Sequence, residues 1–262
     1  MCIAYLSLGV NPDWPVFIAA NRDEFHQRPA LPARPWPEAP HVIAGSDLTG
    51  GGTWLGLNGG RRWALLTNFR APGAHRDEAT SRGELVSDFL LNGMSAEEYT
   101  KYIHFKAGQY NGFNLIVGEG PHAWYVGNHA ACTGPVALEP GRYALSNDAL
   151  DTPWPKVERL RTRLDQLIPE RGEELLLEPV YETLRDGVQP DDNNLPQTGL
   201  PLDKERLLSS IFIVSPDYGT RCSTIIALNP QGEGVFSETT YDTEGSPTER
   251  HDWPVSVRAA AP

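Results

Sequence analysis

Two features of this 262-residue chain have the residue types for covalent chemistry: a cysteine at position 2, and the polar run Asn21-Arg22-Asp23-Glu24 at the end of an apolar stretch. If Met1 is removed, Cys2 carries both a thiol and a free α-amine. An α-amine with a reference pKa of about 8 can serve as base for its own side chain. A neighbouring arginine favours the thiolate, and Asp23 is placed to orient the amine. The plain alternative is a small buried cysteine behind a retained methionine, and the residues by themselves favour that alternative.

The elements that must bring these groups together are two strands. Residues 2–8 and 16–22 are apolar runs separated by GVNPDWP, which is rich in turn formers, and they read as a β-hairpin. Pairing Leu8 with Val16 makes every pair sum to 24 and sets Cys2 opposite Arg22, on the same face of the sheet. A slip of one residue would bring Asn21 or Asp23 across instead. In each register Cys2 lies beside residues 21–24, an unusual place to bury charge without a use for it.

Farther along, Pro29 to Pro40 is dense in proline and reads as an extended loop. A short strand is expected at 42–45. A second hairpin turns at Asn58-Gly59 between GGTWLGL and RRWALLTNF. Ser81/Glu84 and Ser95/Glu98 form capping-box patterns ahead of two helices. Strands follow near 112–118, 122–127 and 142–146. A second helical pair falls at about 154–168 and 173–186, with an apolar stripe of Val157, Leu160, Leu164 and Leu167. Residues 188–203 read as a mobile polar loop. Strands are expected at 209–215, 221–228 and 233–240, with an irregular tail over 243–262. Hairpins alternating with helix pairs suit antiparallel sheets rather than βαβ units. Strands apolar on both faces need something packed on each side. The expectation is therefore an α+β fold of two stacked antiparallel sheets with helices outside, as a single domain over 1–262.

The net charge of −12, from 34 acidic and 22 basic residues, disfavours non-specific binding to nucleic acid. No apolar run reaches membrane-spanning length, and the first residues do not read as a secretory signal. Three cysteines, Cys2, Cys132 and Cys222, give no disulfide framework, so a cytoplasmic location is expected. The seven histidines are scattered without metal-ligand spacing, so neither a metal nor any required cofactor is expected. Reversible haem binding leaves no readable motif and stays open. Gly51-Gly52-Thr53-Trp54 reads as a strand entrance, because no Walker or dinucleotide spacing follows it.

Met-Cys-Ile at the start, Ile-Ala-Ala-Asn21-Arg22-Asp23-Glu24-Phe25, and Arg28-Pro29 together resemble the NRDE family, also called the transport and Golgi organisation protein 2 family. The resemblance extends through Gly51-Gly52-Thr53-Trp54-Leu55-Gly56, Leu66-Thr67-Asn68, Asn111-Gly112-Phe113-Asn114-Leu115, Leu145-Ser146-Asn147 and Tyr218-Gly219-Thr220-Arg221, so it covers most of the chain. It implies a four-layer αββα sandwich similar to the N-terminal-nucleophile (Ntn) hydrolases. A more distant similarity links the same residues to the penicillin V acylase and bile-salt hydrolase group. That similarity implies Cys2 as nucleophile, Asp23 as the holder of its amine, Asn68 and Asn147 at the oxyanion, and Arg221 as a late site arginine. One position departs: Ala20 stands where those acylases carry an early arginine, and here Arg22 adjoins Asp23.

Two functions follow as expectations. The family resemblance implies a carrier role in haem trafficking or in lipid and acyl-CoA metabolism, with haem as a possible transported ligand. Its ligand-binding set would be Asn21, Arg22, Asp23, Glu24, Trp54, Asn68, Arg70 and Arg221, with Arg61 and Arg62 as further cations. The alternative is a cysteine amidohydrolase that cleaves C–N bonds through Cys2.

Overall fold

The computed structural model describes residues 2–59, 61–168 and 171–256. Six strands open the chain: β1 (Cys2–Leu8), β2 (Val16–Phe25), β3 (Ala30–Trp36), β4 (Ala39–Asp47), β5 (Leu55–Asn58) and β6 (Arg62–Asn68). Helices α1 (Gly83–Leu91) and α2 (Ala96–Lys106) follow, then β7 (Phe113–Glu119), β8 (His122–Gly127), β9 (Val136–Leu138) and β10 (Gly141–Leu145). Next come α3 (Pro155–Asp165), α4 (Leu177–Leu184) and α5 (Leu202–Leu207). The chain closes with β11 (Tyr218–Leu228), β12 (Gly234–Tyr241) and β13 (Pro247–Val255).

The strands form two antiparallel sheets, ordered β10-β1-β2-β11-β12-β13 and β3-β4-β5-β6-β7-β8-β9. Period-2 alternation divides each strand between two cores. Ala4, Leu6 and Leu8 of β1 and Ile18 of β2 point between the sheets, where they meet Leu55, Trp63, Leu65, Ile116 and Phe236. Ile3, Tyr5, Phe17 and Ala19 point the other way and pack against Val157, Leu160 and Leu164 of α3 and Val180 and Leu184 of α4. The outer face of the seven-stranded sheet is covered by Leu85, Val86, Phe89 and Leu90 of α1 and Tyr99 and Ile103 of α2. The layer order is α-β-β-α, the arrangement expected for strands apolar on both faces.

Several local expectations are corrected. Pro29–Pro40 is not a loop: β3 and β4 pair through it, with register shifts after Leu31 and Pro35. Pro32 and Pro35 are tolerated because β3 is the outermost strand of its sheet, and Pro40 because it stands at the start of β4. The expected strand at 209–215 is instead a buried turn, in which the Thr220 hydroxyl takes the Ile213 N–H at 2.9 Å. Residues 188–203 contain a 3₁₀ turn at Asp192–Asn194, which Arg206 ties down through Asp192 at 2.7 Å. The tail is not irregular over Pro247–Val255, where β13 adds to β12; residues 257–262 lie outside the described residues. The Ser95–Glu98 capping box is present, whereas α1 begins at Arg82 without a side-chain cap.

Candidate active site

The β1–β2 register is the one expected from the sequence: Cys2 pairs with Arg22, and every pair sums to 24. The row continues across the sheet, since Arg22 pairs with Cys222 on β11. Ser146, just past β10, donates its hydroxyl to the Cys2 carbonyl at 3.1 Å and fixes the end of β1.

The Cys2 side chain borders a cleft of about 270 Å³ at the end of the sandwich, shared with Arg22, Asp23, Trp54, Asn68 and Arg82. Burial pushes the thiol up, against the opposing pull of the Arg22 charge and of the Asp23 backbone N–H, which donates to the sulfur. Arg22 pulls toward the thiolate, as expected from the sequence, but desolvation outweighs the guanidinium and leaves the thiol above its ordinary value. Removal of Met1 concerns a residue outside those described.

Arg22 and Asp23 point to opposite sides of β2, as consecutive strand residues must. Arg22 reaches between the sheets, stacks on Trp54 with its guanidinium 4.2 Å from the ring centroid, and donates to Asp47 Oδ2 at 3.2 Å. Ala20, the position where the acylases carry arginine, lies on this same face two residues back. The guanidinium is thus shifted along the strand by roughly 6–7 Å but keeps its face. Asp23 is buried; its carboxylate accepts from Thr220 Oγ1 at 2.7 Å and its carbonyl from the Tyr218 phenol at 2.9 Å. Burial pushes the Asp23 carboxyl up, while the Lys156 and Arg22 charges and the Thr220 hydroxyl act the other way.

Asn68 ends β6 and lines the cleft, and its side-chain amide makes no hydrogen bond among the described residues. Asn147 is fully buried and sits one layer behind: its amide donates to the Asn68 carbonyl at 2.9 Å, so it positions Asn68 rather than the reacting group. Glu24 lines the cleft near Arg22 and Arg28, at 4.0 and 3.8 Å.

Three expected residues lie elsewhere. Asn21 faces the helices, with its amide on the Leu184 and Ile211 carbonyls at 2.8 and 2.9 Å. Arg70 is paired with Glu205 at 3.1 Å and stacked over Trp154. Arg221 occupies the bulge between Thr220 and Cys222, and its Nη1 bridges the carbonyls of Phe25, His26 and Arg28. The extra residue turns Arg221 out of the row that carries Arg22 and Cys222, toward a neighbouring cavity of about 230 Å³. Arg62 lies in the other, seven-stranded sheet, at the start of β6, and is bound to Glu119 of β7 at 2.7 Å.

Sequence reasoning missed four contributors. Asp47 gathers Arg28 Nε at 2.7 Å and the Gly50 N–H at 2.8 Å in addition to Arg22. Burial works to raise its carboxyl, but the Arg28 hydrogen bond and the Gly50 and Thr49 amides hold it below the ordinary range. Arg82 enters at the start of α1, with Nη1 on the Gly112 carbonyl at 2.9 Å and its charge acting on Cys2. The strand entrance makes this approach possible: Gly52 has φ +69°, and a Cβ there would lie 2.3 Å from the Gly83 backbone. Lys156 is buried and Tyr218 half-buried on the Asp23 side of β2. Tyr218 and Thr220 stood within a quoted motif, but only the β2–β11 pairing reveals their partner. No group of three or more His, Cys, Asp or Glu side chains among the described residues is arranged to hold a metal. No described helix is long and apolar enough to cross a membrane.

The family model described as Transport and Golgi organisation 2 matches residues 1–243. The Transport and Golgi organization protein 2 homolog of Bos taurus is 34% identical over 257 residues, covering 91% of this chain and 92% of the relative. The Homo sapiens homolog is 32% identical over the same span. Among solved structures, penicillin V acylase from Agrobacterium tumefaciens superposes with a TM-score of 0.52 at 12% identity, covering 91% of this chain and 83% of the acylase. That likeness carries the fold, an Ntn-hydrolase sandwich. The sequence matches carry the family, and this chain belongs to the Transport and Golgi organisation 2 family.

Proposed function

We propose that the chain is a cysteine amidohydrolase of the Ntn type, cleaving a C–N amide bond through Cys2 once Met1 has been removed. The observation that carries this reading is the position of the Cys2 thiol, on the wall of a polar cleft with the Asp23 N–H on its sulfur and the uncommitted Asn68 amide in the same wall. The α-amine takes the thiol proton, and the sulfur attacks the amide carbon. Asn68 donates to the developing oxyanion. The C–N bond breaks as the amine leaves with that proton, giving a thioester on Cys2. Water then adds to the thioester, releasing the carboxylic acid and restoring the thiol. Asp23 holds the amine in place. Three unpaired cysteines suit a reducing cytoplasm as the setting.

The test is turnover of a panel of N-acyl amides by protein whose N-terminus has been verified by intact mass. Cys2→Ala should abolish turnover, and Cys2→Ser should leave a weak remainder because the amine base survives. Hydrolysis that persists in Cys2→Ala refutes the assignment.

A second reading, a carrier for haem or an acyl-CoA-type ligand, draws on one observation: Arg22, Arg28, Arg76 and Arg82 all border the cleft. Four guanidinium groups suit propionates or phosphates. On this reading Cys2→Ala leaves affinity within about tenfold, near 1.4 kcal/mol. Arg22→Ala weakens an anionic ligand by about 1.5–3 kcal/mol. Affinity that follows Cys2 and ignores Arg22 would rule out the carrier.

A further inference from the structure

Below the cleft, on the helix side of β2, four charged side chains are buried together. Lys156, the second residue of α3, is 3% exposed, and its Nζ donates to the Leu208 carbonyl at 2.9 Å. Asp23 is 1% exposed. Arg70 and Glu205 form an ion pair at 3.1 Å with both side chains 5% exposed, and Arg70 stacks on Trp154, the residue just before α3. The two cations and two acids sum to zero. Arg70 and Glu205 neutralise each other; the charges that favour an ionised Asp23 are, in order, the N-terminal ammonium, the Lys156 ammonium and the Arg22 guanidinium, and Lys156 is the one supplied from the helix layer.

Packing does not account for a lysine here. Its neighbours on the buried side of α3 are Val157, Leu160 and Leu164, and an apolar side chain would fill the space without desolvating an ammonium. Lys156 is pushed down to about 8 by burial, with the Asp23, Cys2 and Glu205 charges holding it up. Asp23 is faced by Cys2 from β1, by Tyr218 and Thr220 from β11 and by Lys156 from α3, with Arg22 next to it on β2. Lys156 is also faced by Arg70 and Glu205.

We propose that Lys156 is a positioning residue that keeps the buried Asp23 ionised, so that Asp23 can hold the α-amine of mature Cys2. The last clause rests on the amidohydrolase reading; the effect of Lys156 on Asp23 does not. A neutral Asp23 would be a weaker partner for an ammonium and would no longer fix the amine against the thiol. Lys156 touches no reacting atom and acts through Asp23.

The experiment is a carboxyl ¹³C titration of the full chain labelled at aspartate, with the Asp23 resonance assigned from Asp23→Asn. In the unmodified chain Asp23 should be ionised at pH 7. In Lys156→Met its midpoint should rise by about one pH unit or more, a tenfold gain in proton affinity, and Lys156→Arg should restore it. A purely structural lysine would leave the midpoint where it was, and that result overturns the proposal, as does a protonated Asp23 at pH 7 in the unmodified chain. If Lys156→Met does not fold, the Asp23→Asn/Lys156→Met pair decides. Recovery of folding supports the coupling, and continued failure overturns it. The two ideas fail separately: turnover persisting in Cys2→Ala defeats the amidohydrolase, whereas an Asp23 indifferent to Lys156 defeats this inference alone.

Discussion

The thiol of Cys2 should behave as a buried group with opposing charges around it, and its alkylation rate can be followed against pH. The thiolate is the reacting form, and burial places the thiol above its ordinary value of 9.0. Most of the thiol is then un-ionised at pH 7, and the rate should keep climbing from pH 7 to 9 without a plateau. The charges set the sign of each variant. Arg22 lies directly across the hairpin from Cys2. At an effective dielectric of about 20, a unit charge roughly 8 Å away is worth about 2 kcal/mol. Asp47, 3.2 Å from the Arg22 guanidinium, offsets part of this. About one pKa unit remains, so Arg22→Gln should slow alkylation at pH 8 about tenfold. Asp23→Asn should speed it, because the Asp23 carboxylate opposes ionisation of the thiol. The assay is iodoacetamide labelling read by peptide mass spectrometry on protein of verified N-terminus. Cys222 should react more slowly than Cys2, since burial and the Glu238 carboxyl push its thiol well up. A plateau by pH 7, or an Arg22→Gln variant that reacts as fast as the parent, would refute the reasoning.

Asp186→Asn should destabilise the fold by about 1–2 kcal/mol at pH 7, a modest sum because the arginines are half exposed. Asp186 holds Arg159 Nε and Arg163 Nη1, each at 2.5 Å. Burial raises its carboxyl, but these partners outweigh it and leave it below its ordinary 3.8. The stabilisation is therefore present above that pH and lost as pH falls through the depressed value, so urea midpoints of parent and variant should converge in acid. Gly45→Ala would set a Cβ 2.2 Å from the Trp54 ring. It should cost about 1–3 kcal/mol in urea unfolding and alter Cys2 alkylation by moving the ring under Arg22. Ser95→Ala removes the capping box of α2 and should lower stability by about 1 kcal/mol; an unchanged urea midpoint would contradict that role.

The first hairpin was legible in the sequence because two apolar runs flank a segment of turn formers, and pairing Leu8 with Val16 sets Cys2 against Arg22, the register the structure has. The sequence left a slip of one residue open, because both faces of the strands are apolar, and the packing of the two cores decides it. Apolar residues on both faces of β1 and β2 also demanded a layer on each side, which is enough to require stacked sheets under helices. Proline density hid β3, since only a place at a sheet edge makes proline compatible with pairing, and edge position is a property of the assembled sheet. The tail was hidden in the same way: Pro247–Val255 is polar, and its strand exists because β12 offers it an edge. The site shows the same division. Residue type and position singled out Cys2 and Asp23, and the family resemblance singled out Asn68; the structure sets all three on one cleft. The bulge at Arg221, the pairing of Arg70 with Glu205, and the arrival of Lys156 and Arg82 from separate helices depend on contacts between residues far apart in the chain. No local pattern encodes a partner more than a hundred residues away, so tertiary packing alone decided which arginine faces the thiol and which lysine lies below the aspartate.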